Sequence, residues 1–303
     1  MKTHKLDGGS RKVGAHVSAS GGPDKAVERA AEIGANCVQI FSGSPRVWQR
    51  PNLSAVNVDK VFAKQEELLV SPIFIHALYL VNLASENPEL VRKSTEAIIF
   101  DLQYNSLLKG AGVVVHLGSH QGRGWEAVRE QVARTISAIL EKTPAGSHFL
   151  MENAAGQQGK VGGDLAEIKW LLNKVKDERL GWCLDTCHAF ASGYSLGSVP
   201  KTGAAPITNG KVTRERSLIE EIEALGLHKN LFCIHVNDSR DPFGSGRDRH
   251  ANLGDGIIKK DDFEYFLNHP LIANQPLILE VPGVKDEGPD AENIARLKKL
   301  VGE

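Results

Sequence analysis

The sequence has no excess of either charge. Its 36 Lys+Arg residues face 37 Asp+Glu, a formal net charge of -1, which excludes a uniformly basic nucleic-acid coat and a polybasic membrane anchor, though not a local basic track. Long hydrophobic runs are missing too. No apolar stretch approaches the roughly 18 to 20 residues that would span a bilayer. Residues 1–14 are polar and lack the apolar segment of about 7 to 15 residues that a secretory signal needs, so a soluble, cytoplasmic protein is expected. Cysteine is scarce: Cys37, Cys183, Cys187 and Cys233 each sit within or beside an apolar run, which argues for reduced, buried thiols rather than a disulfide framework. Cys183 and Cys187 have three residues between them and no second pair accompanies them, so no structural zinc knuckle is expected. Neither a P-loop nor a Ser/His/Asp nucleophile elbow is present, and the turn after the first apolar run, AHVSASGGP, carries no GxGxxG.

What remains is an ordinary globular composition, 41% apolar and 24% charged over 303 residues, enough for one large core. Short apolar, β-rich runs alternate with longer amphipathic stretches. Strands are predicted over 13–17, 37–41, 73–76, 113–116, 148–152, 181–185, 231–236 and 277–281, and helices over 23–33, 56–69, 88–109, 124–142, 164–176, 213–225, 260–267 and 289–301. Pro88 and Pro289 suit first-turn positions, and Gly34, Gly110 and Gly226 suit helix ends. Eight strand-then-helix units predict a (β/α)8 TIM barrel, a single domain over 1–303 with residues 1–11 as a flexible extension. The missing glycine-rich turn disfavours the competing doubly wound sheet. The stretch 192–212, rich in Gly, Pro and Thr, reads as a surface loop after the sixth strand.

Histidine is the suggestive count, at 11, because imidazole is the commonest protein ligand for transition metals. His16, His76, His116, Glu152, Asp185, His235 and Glu280 fall at or near the C-terminal ends of seven of the eight predicted strands. Those ends converge on one mouth in a barrel, the face where active sites are built. Any one of these residues alone would read as a satisfied buried histidine or an ordinary ion pair. Seven at equivalent positions point to shared cations. Two local motifs add candidates: His188, three positions after Asp185 in CLDTCHAF, and Asp248 with His250 in GRDRHANLGDG, which flank Arg249 on an extended loop. The mixed set suits zinc, manganese or iron, and its size points to two or three ions. The residues alone support a metal-dependent hydrolase or isomerase on a barrel.

The ordered segments GAHVSASGG, HALYLVNLAS, HLGSH, MENAAGQ, CLDTCHAFASGY, IHVNDS, DRHANLGDG and LILEVPG, within Val13 to Val301, together resemble the endonuclease IV family of apurinic/apyrimidinic endonucleases. The resemblance implies a barrel with three zinc ions, with manganese or iron able to replace zinc at one or more sites. It also implies cleavage of double-stranded DNA on the 5′ side of an abasic site, leaving a 3′-hydroxyl and a 5′-deoxyribose phosphate, and removal of blocked 3′ ends. By motif position it makes His76, His116 and Glu152 ligands of a first ion. Glu152, Asp185, His235 and Glu280 would hold a second, and His188, Asp248 and His250 a third. Glu152, bridging two ions, is the residue assigned to catalysis, and His16 is a neighbour of the ligands rather than a ligand. Arg46, Tyr79 and Leu80 match positions that enter the DNA, and Arg249, with Arg247, is a candidate for phosphate contact. No partner subunit is implied, so a monomer is expected.

Leu117 stands where HPGSH would have proline and Asp255 where LGEG would have glutamate, and QGKVGG follows MENAAGQ. None of these departures removes a proposed ligand. The alternative function is a metal-dependent sugar isomerase or epimerase of the xylose-isomerase-like barrels. The Asp-x-His motif of Asp248 and His250 argues against it, and the intact nine-residue set argues against a DNA-binding module without activity.

Overall fold

The computed structural model describes residues 11–198 and 217–303, together with two short strands, Ile207–Thr208 and Lys211–Val212. Eight strands form a closed barrel: β1 (Val13–His16), β2 (Cys37–Phe41), β3 (Ile73–His76), β4 (Gly112–Val115), β5 (Phe149–Glu152), β6 (Leu180–Asp185), β7 (Leu231–His235) and β8 (Leu277–Leu279). Each pairs in parallel with the next, and β8 closes onto β1. The strands are buried along most of their length, as expected of a parallel sheet with helices outside and side chains filling the interior. Period-2 alternation then sorts the residues. Val38 and Ile40 join the large core beneath the helices, whereas Cys37, Phe74, Val114, Leu150, Cys183, Cys233 and Ile278 form an inner apolar layer. Gly14 lets that layer close, because a Cβ there would lie 2.2 Å from the Cys37 carbonyl oxygen.

The outer layer comprises α1 (Pro23–Glu32), α2 (Val58–Leu68), α3 (Pro88–Leu107), α4 (Trp125–Glu141), α5 (Leu165–Val175), α6 (Thr186–Ala191), α7 (Leu218–Leu225), α8 (Lys260–Leu267) and α9 (Ala291–Leu300). Pro88 occupies the first turn of α3 behind its Asn87 cap, as expected. Pro289 does not occupy the first turn of α9: the Asp290 side chain accepts from Asn293 N and caps the helix, so Pro289 precedes the cap. Gly34 and Gly226 terminate helices at positive φ, but Lys109 rather than Gly110 takes that conformation after α3. Gly110 is required instead by close approach, since a Cβ would meet Asn105 Oδ1 at 2.2 Å. The short helix α6 is not among the predicted helices; Asp185 caps it by accepting from His188 N.

Two expected flexible segments are described only in part. Residues 1–10 lie outside the described residues, but Arg11 is anchored, donating to the carbonyls of Leu267 (2.7 Å) and Ile272 (3.3 Å). Of the expected surface loop 192–212, Tyr194 and Leu196 are buried, and the Tyr194 hydroxyl accepts from Leu165 N at 2.9 Å. Ile207–Thr208 and Lys211–Val212 pair antiparallel, and the dipeptide between them in the sequence, Asn209-Gly210, is a pair favoured in two-residue hairpins. The rest of the loop, and residues 213–216 of the helix expected over 213–225, lie outside the described residues.

Candidate metal centre at the barrel mouth

His16, His76, Glu152, Asp185 and His235 are the last residues of their strands; His116 and Glu280 follow β4 and β8 directly. Parallel pairing brings all seven to one rim, above the inner apolar layer. Position at a strand end also leaves each side chain within reach of the loops that begin there. Asp185 caps α6 and thereby directs His188 back over the mouth. His250 arrives on a two-residue strand, His250–Ala251, paired antiparallel with Asp238–Ser239 just beyond β7. The Asp238 carboxylate accepts the backbone N–H of Ser239, Gly254, Gly256 and Ile258, which holds this loop in shape.

The side chains form three overlapping groups whose potential ligand atoms lie within 4.8 Å of one another: His76, His116 and Glu152; Glu152, Asp185, His235 and Glu280; and Asp185, His188 and His250. Asp248 belongs with the last group, its Oδ1 lying 3.0 Å from His188 Nε2 and 3.3 Å from His250 Nε2. Asp185 is therefore shared by two groups, as Glu152 is. All nine residues expected as ligands are assembled here.

Hydrogen bonding fixes the direction of the imidazoles. His76 Nδ1 lies 2.7 Å from the Ala77 carbonyl, His188 Nδ1 2.9 Å from that of Asn153, and His250 Nδ1 3.2 Å from that of Glu280. A carbonyl only accepts, so each Nδ1 carries a proton, and in its neutral form each ring turns its Nε2 lone pair toward a carboxylate. His76 Nε2 and His116 Nε2 meet Glu152 Oε2 at 3.3 and 3.2 Å. Glu152 Oε2, His188 Nε2 and His250 Nε2 are all buried without a hydrogen bond. Acceptors facing acceptors in a buried site need a positive charge between them, a proton or a metal ion. These imidazole and carboxylate donors fit zinc, manganese or iron.

The titration behaviour has the same origin. Burial works against the carboxylate charges of Glu152, Glu280 and Asp248, yet the surrounding histidines hold all three below the usual range. Burial likewise opposes charge on His188 and His250, but Asp185 and Asp248 outweigh it and raise them to about 10 and about 9. His235 is raised against burial by Glu280 and Glu152, and His76 by Glu152 and Glu280. For His116 burial prevails and lowers it to about 4; it prevails for His16 as well.

His16 Nδ1 lies 3.0 Å from Glu280 Oε1, against a proposed ligand. Sequence reasoning missed three buried amides that do similar work. Gln39 touches His16, Glu280 and His235. Asn153 holds the Asp185 backbone, and Asn237 donates to Asp185 Oδ2 at 2.6 Å while accepting from Glu280 N at 2.8 Å. The available signal is an Asn one or two residues after a ligand, in MEN and HVN. Cys183 and Cys233 approach His235 from the inner layer. Burial drives the Cys183 thiol well above its ordinary range, which keeps it protonated and a poor ligand. All four cysteines are free and buried.

Arg46 is exposed on the loop after β2. The Tyr79 N–H donates to the Pro45 carbonyl at 3.1 Å, tying this loop to the one after β3. Tyr79 and Leu80 are 59% and 37% exposed rather than packed in the core, and the Tyr79 ring edges onto Phe41 and His76. Arg249 is not a free cation: its guanidinium pairs with both Asp241 oxygens at 2.6 and 2.5 Å, and Arg247 approaches the same carboxylate at 3.6 Å.

A family profile described as xylose isomerase-like TIM barrel matches residues 27–300. A protein named probable endonuclease 4 from Halothermothrix orenii is 34% identical over 95% of this chain and 99% of its own length. Its namesake from Methanoculleus marisnigri is 36% identical, over 96% and 99%. The crystal structure of endonuclease IV from Thermus thermophilus superposes with a TM-score of 0.79 at 32% identity, covering 97% of this chain and 99% of that one. The chain belongs to the endonuclease IV family. A D-tagatose 3-epimerase-like protein, at TM-score 0.69 and 20% identity over 96% of this chain and 97% of that one, shares the fold alone. Among the described residues of this endonuclease IV family member, no helix is long and apolar enough to cross a membrane.

Proposed function

We propose that this chain is a zinc-dependent DNA-repair endonuclease that hydrolyses the phosphodiester on the 5′ side of an abasic site. The products would be a 3′-hydroxyl and a 5′-deoxyribose phosphate, and blocked 3′ ends would be removed by the same chemistry. The observation that carries the reading is the set of anchored imidazoles, with Nδ1–H spent on carbonyls and Nε2 turned toward buried carboxylates. His76, His116 and Glu152 would hold one ion. Glu152, Asp185, His235 and Glu280 would hold a second, and His188, Asp248 and His250 a third, with Asp185 beside both of the last two sets. Bound cations at such a cluster lower the pKa of water toward neutrality, polarise phosphoryl oxygens and stabilise a leaving alkoxide.

The protein residues supply ligation, orientation and lesion recognition. Glu152 joins the first two sets through its two carboxylate oxygens, and His16 steadies Glu280. Arg46, Tyr79 and Leu80 form an exposed rim, half apolar and half cationic, suited to enter a duplex where a base is missing and the cost of extruding the nucleotide is lowest. Arg249 is available to phosphate through its exposed face while Asp241 holds it in place.

Incubation with a duplex carrying one tetrahydrofuran abasic analogue tests the reading. A single nick 5′ to the lesion, abolished by prior chelation and restored by zinc, is expected. No nick from protein whose metal content has been verified would overturn it.

A further inference from the structure

Seven barrel strands bring an ionisable side chain to the mouth; β2 contributes Gln39. This residue is fully buried and in register with His16 on β1. A carboxamide without access to water must satisfy both ends internally. The Gln39 Nε2 lies 2.6 Å from Glu280 Oε1 and 3.0 Å from His16 Nδ1, and its Oε1 lies 2.9 Å from His235 Nε2. The orientation of the amide follows from its partners. An ionised carboxylate only accepts, so the amide nitrogen must face Glu280; the amide oxygen then faces His235 and, accepting too, requires a proton on His235 Nε2. The lone pair of neutral His235 is left on Nδ1, 3.1 Å from Glu152 Oε1 and 3.1 Å from Glu280 Oε2. His76, His188 and His250 are anchored through Nδ1 by backbone carbonyls. His235 is anchored through the opposite nitrogen and by a side chain, so its orientation can be changed by substitution.

We propose that Gln39 is a positioning residue for the second ion: it locks His235 in the Nε2–H tautomer and holds Glu280, so that His235 Nδ1 and the Glu152 and Glu280 oxygens present their lone pairs to one cation. The inference rests on the metal-dependent reading of the mouth. Partners that orient a ligating histidine commonly change metal affinity by about ten- to a hundredfold when removed. Gln39→Met keeps the length and removes both polar ends; Gln39→Glu still accepts from His235 but repels Glu280.

Zinc per chain is measured by atomic emission across a series of competing chelator concentrations, with far-UV circular dichroism as the check on folding. The His235 tautomer is read by long-range proton–nitrogen NMR. Gln39→Met is expected to release one zinc equivalent at about ten- to a hundredfold lower chelator strength and to lose the pure Nε2–H tautomer. Gln39→Glu is expected to release that zinc while keeping the tautomer. A wild-type zinc profile in folded Gln39→Met, or a His235 Nδ1–H in the zinc-loaded wild-type protein, would overturn the inference. The tautomer decides even if Gln39→Met does not fold. Wild-type protein that binds no zinc would instead overturn the metal reading, while a proton on His235 Nε2, facing Gln39, would still be expected.

Discussion

Replacing Glu152 by glutamine removes one negative charge from the mouth with almost no change of shape. The carboxylate is fully buried and shared: Oε2 faces His76 and His116 at 3.3 and 3.2 Å, and Oε1 lies 3.1 Å from His235 Nδ1. At about 4 Å and an effective dielectric of about 20, a unit charge pair is worth about 4 kcal/mol. Losing that much attraction weakens a cation by about a thousandfold, and by more if the cation is divalent. Since Glu152 belongs to two of the three groups, Glu152→Gln should lose two ions together. Metal analysis after gel filtration should find at most one equivalent, and incision of the tetrahydrofuran duplex should fall by about a thousandfold or more. Circular dichroism of the metal-free proteins should match, because the amide fills the same volume. A variant that keeps its zinc and the wild-type rate would refute the shared-ligand reasoning, and the loss of a single equivalent would refute the sharing.

Three other outcomes follow from the geometry. Arg46→Ala should reduce discrimination between abasic and intact duplex in a competition binding assay while sparing metal content; unchanged preference would mean that another residue reads the lesion. Asp248→Asn should release one zinc equivalent and leave the two groups around Glu152 loaded; release of all metal would show that the sites do not load independently. Asp101, buried on α3 beside Ser42 and Arg50, is pushed up to about 6 by burial, which outweighs the Ser42 hydroxyl and the Arg50 guanidinium. The folded state therefore holds its proton more tightly than the unfolded chain does, and stability from this group is lost as pH rises from about 4 to about 6. A carboxyl at about 6 instead of 3.8 corresponds to about 3 kcal/mol of disfavoured charge. Asp101→Asn should thus match the wild type in urea unfolding near pH 4 and exceed its stability by up to about 3 kcal/mol at about pH 8; equal stability at both pH values would show that Arg50 fully compensates the charge.

The barrel was legible in the chain because each parallel strand is covered on both faces and reads as a short apolar run, whereas the longer helices read as amphipathic stretches; the six-residue α6 was too short to show a period. The candidate ligands were legible for a related reason: a histidine or carboxylate closing an apolar run is costly unless something binds it, and seven runs closed that way. Sequence alone could not orient those groups. The Ala77 carbonyl that meets His76 Nδ1 comes from the adjacent residue, but that Asn153 and Glu280 offer theirs to His188 and His250 depends on backbone paths dozens of residues apart, and only the closed barrel brings them together.

Gln39 illustrates the limit. In CVQIF it is an uncharged residue within a strand and carries no signal of chemistry; its meaning comes from His16, His235 and Glu280, contributed by three other strands. Arg249 illustrates the converse, since its sequence position invites a phosphate contact and the fold pairs it with Asp241. The amino-acid sequence by itself determined the architecture and the set of metal-type residues, because both follow from local period and residue type. The tertiary structure decided the tautomers of His188, His235 and His250, the sharing of Glu152 and Asp185 between groups, and the exposure of Tyr79 and Leu80, because each depends on distances between segments remote in the chain.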